Sequence, residues 1–152
     1  AELLAVGAPI DLFGVGTEMV TSRDAPALGG VYKLVEQVVG GERVGRMKRS
    51  AEKATYPGAK QVFRRSERGS YCGDVIAASD EETGGDPLLV PVMKEGRACA
   101  ELPALEAIRR RTLAELNRLP AGVLRLSKSD RYPVRFSDRL EEQKKLLEGT
   151  KP

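Results

Sequence analysis

The chain has 152 residues, 25 Lys plus Arg against 22 Asp plus Glu for a formal net charge of +3, and 41% hydrophobic residues, enough for one domain with a core. It contains no histidine, which excludes a Ser-His-Asp or Cys-His nucleophile system, an imidazole acid or base and a His-ligated zinc built from this chain alone. Cys72 and Cys99 are too few for a structural zinc site and are expected to be reduced, buried thiols. No apolar run nears the roughly 20 residues that cross a bilayer, and Ala1 to Val6 lack a basic flank ahead of a long apolar segment, so a cytoplasmic protein is expected. The opening on Ala1 suggests a processed terminus or an excised fragment.

The first residues read as a short helix end stopped by Gly7, after which Pro9 leads into an extended run, Ile10 to Phe13. Gly14-Val15-Gly16-Thr17 follows, then Glu18 to Val20 as a short helix, giving the order strand, glycine loop, helix start. From Leu28 to Val39 the β-branched residues and Tyr32 predict a strand closed by a Gly40-Gly41 turn. Short strands are predicted at 60–64 and 71–77, and turns at Tyr56-Pro57-Gly58 and 83–87. A further strand is predicted over Leu88 to Val92, demoted toward an edge by Pro91. Gly and Pro turns between short strands favour an antiparallel arrangement. Pro103 suits a first helical position, and Leu105, Ile108, Thr112, Leu113 and Leu116 recur at helical spacing until Pro120-Ala121-Gly122. A last helix is predicted from a Ser137 cap to Glu148, closed by Gly149. No repeat shows at periods of 20–50 residues. The fold class is α+β.

The Gly14–Thr17 loop is the one local feature with a phosphate-binding mechanism: glycines let backbone N–H groups approach an anion, and Thr17 adds a hydroxyl donor. Taken alone, Gly-x-Gly is also a common tight turn, and neither longer phosphate-binding signature is completed here. Positive charge gathers between Arg43 and Arg68, where nine basic residues face Glu52 and Glu67. With Tyr56, Phe63 and Tyr71 nearby, this is raw material for nucleic-acid binding or for a solvated hairpin face. Arg109-Arg110-Arg111 fans out around a helix as surface charge. Asp80-Glu81-Glu82 reads as a solvent-facing loop. Asp11, inside an apolar run, would need a partner if buried.

Ile10 to Ser22 with Asp24 to Glu36, Met47-Lys48-Arg49-Ser50 with Lys53 to Arg64, and Asp86 to Met93 together resemble the nicotinate phosphoribosyltransferase family, in order and spacing, over the C-terminal part of such an enzyme. The resemblance implies that residues 1–30 end the irregular α/β barrel of type II phosphoribosyltransferases and carry its phosphate loop. Residues 31–152 would form a mostly antiparallel β segment with two C-terminal helices, packed with the barrel as one unit. Thr17, Gly16 and Gly14 would hold a phosphate of phosphoribosyl pyrophosphate, and the resemblance implies Arg23 and Lys33 as charge support across a homodimer interface. The reaction implied joins nicotinate to phosphoribosyl pyrophosphate in NAD biosynthesis, with ATP, Mg2+ and a phosphorylated histidine. This chain has no histidine, so no catalytic residue, metal site or ATP site is assigned to it, and the remainder is expected in a missing N-terminal part. A nicotinamide or quinolinate phosphoribosyltransferase and a basic nucleic-acid-binding module are the alternatives. No membrane is expected as a partner, and nucleic acid is not favoured.

Overall fold

A computed structural model describes residues 2–27, 29–48 and 54–149. Leu28, Arg49, Ser50, Glu52 and Lys53, which entered the strand, charge and motif assignments, lie outside the described residues. The chain divides into two units, Ala1–Tyr32 and Lys33–Pro152.

The first unit holds two single-turn helices, α1 (Glu2–Ala5) and α2 (Thr17–Val20). Helix α1 ends as expected at Gly7: the Ala8 amide donates to Leu3 O and the Gly7 amide to Leu4 O, each at 3.0 Å, the paired bonds that close a helix C-terminus. The strand expected over Ile10 to Phe13 is absent. A strand exists only as one rung of a ladder, and no described residue of this unit is in a strand that could pair with it. Asp11 is exposed, so the partner that a buried carboxylate would need there is not required. Leu12, Phe13, Val15, Met19 and Val20 are exposed too, and no described side chain of the unit is buried.

In the second unit, β1 (Glu36–Val39) and β2 (Glu42–Gly45) form a hairpin. Its turn residues Gly40 and Gly41 have φ of 59° and 88°; two positive values in a row match the twist of a two-residue hairpin and favour glycine at both. The predicted strand is shorter than expected, because the described residues 29–35 are not in a ladder. The main sheet has the order β5-β3-β4-β8, built on the hairpin β3 (Lys60–Glu67) and β4 (Ser70–Ala78). Both strands are longer than the sequence suggested, and a bulge between Arg65 and Ser66 leaves Cys72 as the extra residue of β4. β5 (Asp86–Pro87) pairs antiparallel with β3. β8 (Val134–Phe136) pairs parallel with β4, an exception to the antiparallel pattern.

No strand covers Leu88 to Val92. After the Leu88 amide bonds Val62 O at 2.8 Å, the Gln61 side chain takes over from the backbone, accepting from the Leu89 amide at 2.8 Å and donating to its carbonyl at 2.9 Å. The small hairpin β6 (Met93–Lys94) and β7 (Arg97–Ala98) follows. Helix α3 (Leu105–Leu116) starts two residues after Pro103, with Ala104 at its cap. Helix α4 (Asp138–Gly149) begins at the expected Ser137 cap, whose Oγ accepts from the Leu140 amide at 3.3 Å. The same hydroxyl donates to Glu81 at 2.8 Å, so Glu81 is a structural bridge rather than a solvated loop acid.

The core is small: Val75 and Leu140 are 1% and 0% exposed, with Tyr71, Ala77 and Ala78 beside them in the buried set. Cys72 and Cys99 are free, as expected, but exposed rather than buried. Mixed α and β structure is thus observed, and no helix among the described residues is long and apolar enough to cross a membrane.

Candidate functional site

The glycine loop lies open to solvent from Gly14 to Thr17. Gly16 caps α2 with φ −74° and ψ 159°, and its carbonyl accepts the Met19 and Val20 amides at 3.1 Å. The amides of Val15, Gly16, Thr17 and Glu18 take no carbonyl among the described residues, and the Thr17 hydroxyl takes no partner there. Five donors in one short loop are therefore unsatisfied by protein among the described residues. Neither Gly14 nor Gly16 has positive φ, and a Cβ at either would meet nothing within 4 Å. This unit's own packing therefore does not call for glycine at either position.

Helix α2 is a single turn, so its dipole adds little, and the loop's chemistry rests on the amides and the hydroxyl. Arg23 is in the same unit, but its guanidinium pairs with Glu18, so its charge is shared before any ligand arrives. Lys33 begins the second unit.

The described part of the basic stretch does not form one cationic face. Arg43 Nη1 pairs with Glu36 at 3.0 Å, Arg46 bonds the Gln37 side chain at 3.3 Å, and Lys60 Nζ donates to Gly58 O at 2.6 Å, its pKa lowered by burial. Arg64 is bidentate on Asp74 at 3.0 and 2.9 Å, while strand alternation turns Arg65 to the opposite face. The nucleic-acid reading loses its geometric basis.

The spatial cluster that sequence reasoning missed surrounds Asp74. Tyr132 Oη donates to Asp74 Oδ1 at 3.0 Å, Arg64 reaches Glu115 at 3.7 Å, and Tyr71 Oη donates to Glu115. Arg64 and Arg118 both lie over the Tyr71 ring. Burial pushes the Asp74 carboxyl up, but the bonds from Arg64 and Tyr132 outweigh it and hold the group below the usual carboxylate value. The network spans residues from 64 to 132; the alternation of Arg64 and Asp74 on facing strands was its only local signal. It ties α3 and the segment before β8 to the hairpin, a structural role. Among the described residues no three His, Cys, Asp or Glu side chains converge as metal ligands.

Residues 84–144 match the family model for the nicotinate phosphoribosyltransferase C-terminal domain. A nicotinate phosphoribosyltransferase of Mycobacterium tuberculosis is 44% identical over 142 residues, covering 92% of this chain and 30% of that protein. The human nicotinate phosphoribosyltransferase is 32% identical, covering 93% and 30%. The crystal structure of human nicotinic acid phosphoribosyltransferase superposes on 80% of this chain and 27% of that chain with TM-score 0.65 at 30% identity. The chain spans about 30% of the length of these curated relatives.

Proposed function

Because the chain belongs to the nicotinate phosphoribosyltransferase family as its C-terminal portion, we propose that it supplies the phosphate loop, Gly14, Gly16 and Thr17, of an enzyme joining nicotinate to phosphoribosyl pyrophosphate. In this reading residues 1–30 end the α/β barrel, whose neighbouring strands would give Ile10 to Phe13 the ladder that the first unit does not contain. A cytoplasmic homodimer belongs to the same reading.

The reaction breaks the bond between ribose C1 and pyrophosphate while positive charge builds on the sugar. Its catalyst therefore chiefly positions the phosphates and balances their charge. The carrying observation is the set of unengaged amides beside two glycines that the unit's own packing does not call for. Backbone amides suit the task because they are fixed by the chain and need no ionisation. Arg23 contributes by exchanging Glu18 for a phosphate.

ATP, when bound, would drive the reaction through phosphorylation of a histidine. The residues present do not fit that group: the chain has no histidine, and no acidic set for Mg2+ occurs among the described residues. Those residues would come from outside this chain.

The test is kinetic. In the complete enzyme carrying this chain, Thr17→Ala removes one hydrogen bond to a charged group, worth about 1.5–3 kcal/mol, so KM for phosphoribosyl pyrophosphate should rise roughly 10- to 150-fold. Gly16→Val should do at least as much by obstructing the amides. Unchanged KM in both variants would remove the loop from the site.

A further inference from the structure

Two clefts in the second unit differ in how their charges are compensated. The larger, about 600 Å3 between the β1–β2 hairpin and α4, carries four charges at its rim. These cancel in pairs, Arg43 with Glu36 at 3.0 Å and Arg139 with Asp80 at 2.9 Å, so the rim offers no net attraction to an ion. The smaller, about 300 Å3, lies on the seam of β3, β4 and β8 and is lined by Arg65, Cys72, Gly73, Val75, Pro133 and Arg135 among others. Neither Arg65 nor Arg135 has a carboxylate partner among the described residues. Asp74 also borders this groove, but its oxygens are engaged by Arg64 and Tyr132.

Register explains why the two guanidinium groups share a face. Arg65 stands opposite Gly73, and Arg135 stands opposite Val75; residues 73 and 75 project from the same side of β4, the side opposite Asp74. Gly73 keeps the floor between them open. Its φ of 149° disfavours other residues, and a Cβ there would lie 3.1 Å from Pro133 O. Planar guanidinium forks are suited to bidentate contact with an oxyanion, and a tetrahedral phosphate has enough oxygens to accept from two of them at once.

We propose that the Arg65–Arg135 groove is a second anion site that binds a phosphate group, separate from the Gly14–Thr17 loop and independent of the function assigned to it. The bulge residue Cys72, exposed at the groove, provides a reporter, and the exposed Cys99 an internal reference.

The experiment alkylates the full 152-residue chain with anionic iodoacetate or neutral iodoacetamide and follows each cysteine by peptide mass spectrometry, with and without millimolar inorganic phosphate at constant ionic strength. The groove should favour iodoacetate at Cys72 over Cys99, and phosphate should slow Cys72 several-fold while leaving Cys99 unchanged. Arg65→Ala with Arg135→Ala should abolish both effects, Arg65→Lys with Arg135→Lys should restore part of them, and Thr17→Ala should alter neither. Circular dichroism checks that the sheet survives; if the alanine pair perturbs it, Arg65→Gln with Arg135→Gln serves. Lack of phosphate protection at Cys72, or protection that survives loss of both arginines, overturns the site. So does protection lost in Thr17→Ala alone, which would assign the phosphate to the loop.

Discussion

The two units contain similar kinds of residue and treat them oppositely. In Ala1–Tyr32, Leu12, Phe13, Met19 and Val20 face solvent around helices of one turn. In Lys33–Pro152, a β-hairpin of 8 and 9 residues gathers Val75, Ala77 and Leu140 into a dry core and adds a charged network on one sheet face. Apolar burial stabilises only where surface leaves water, so the second unit should carry the stability of the chain while the first presents groups to a larger body.

The sharpest way to break this contrast is to truncate an apolar residue in each unit. Leu140→Ala empties a fully buried position and should cost about 2–5 kcal/mol in urea unfolding followed by circular dichroism. Leu12→Ala, at a position 87% exposed, should stay within about 0.5 kcal/mol. Equal losses would mean that the first unit has a core of its own.

Next in size is the charged network. Asp74→Asn leaves the Arg64 guanidinium partly buried with only Glu115 at 3.7 Å, and the expected loss is about 1–3 kcal/mol. The native Asp74 carboxyl is held below its ordinary value. Its contribution is therefore complete above the ordinary carboxylate range and is lost as pH falls from there through the depressed native value. Unfolding free energy measured against pH should lose part of its acid limb in Asp74→Asn and keep it in Leu140→Ala.

The contrast also marks what was legible in the sequence. Local chemistry read well: Gly40-Gly41 made its turn, Gly7 its stop and Ser137 its cap. Failures came where a distant partner decides. Ile10 to Phe13 has strand composition but no ladder, and Leu88 to Val92 was diverted by the side chain of Gln61, 28 residues away. The parallel strand β8 and the Arg65–Arg135 pair depend on a register between segments about 60–70 residues apart, which no local window contains.

A smaller effect tests the seam between sheet and helix. Ser137→Ala removes the cap of α4 and the donor to Glu81 together, at about 1 kcal/mol, and should fray the first turn of α4 in amide hydrogen exchange while β4 stays protected. Exchange at Val15 to Glu18 should be fast in every variant, since those amides have no protein acceptor among the described residues.

The faintest prediction is silent at neutral pH. Tyr56 stacks on Phe136 with ring centroids 3.7 Å apart, donates its hydroxyl to Glu141 at 2.8 Å and lies beneath Lys144. Burial, and then the hydrogen bond and charge of Glu141, push its pKa from 10.0 up to about 12. A raised native value means that folding favours the neutral phenol. This contribution is thus fully present below pH 10 and is lost as pH climbs toward about 12. The pKa values of Tyr71, bonded to Glu115, and Tyr132, half-buried beside Asp74, are raised as well. The Tyr56 step is therefore read as the difference in ultraviolet titration between the chain and its Tyr56→Phe variant, and should come late, in step with the loss of ordered structure. In Glu141→Gln Tyr56 should ionise earlier, because the carboxylate no longer opposes a neighbouring phenolate. A late step unmoved by that substitution would leave burial alone as its cause and uncouple α4 from the sheet at this contact.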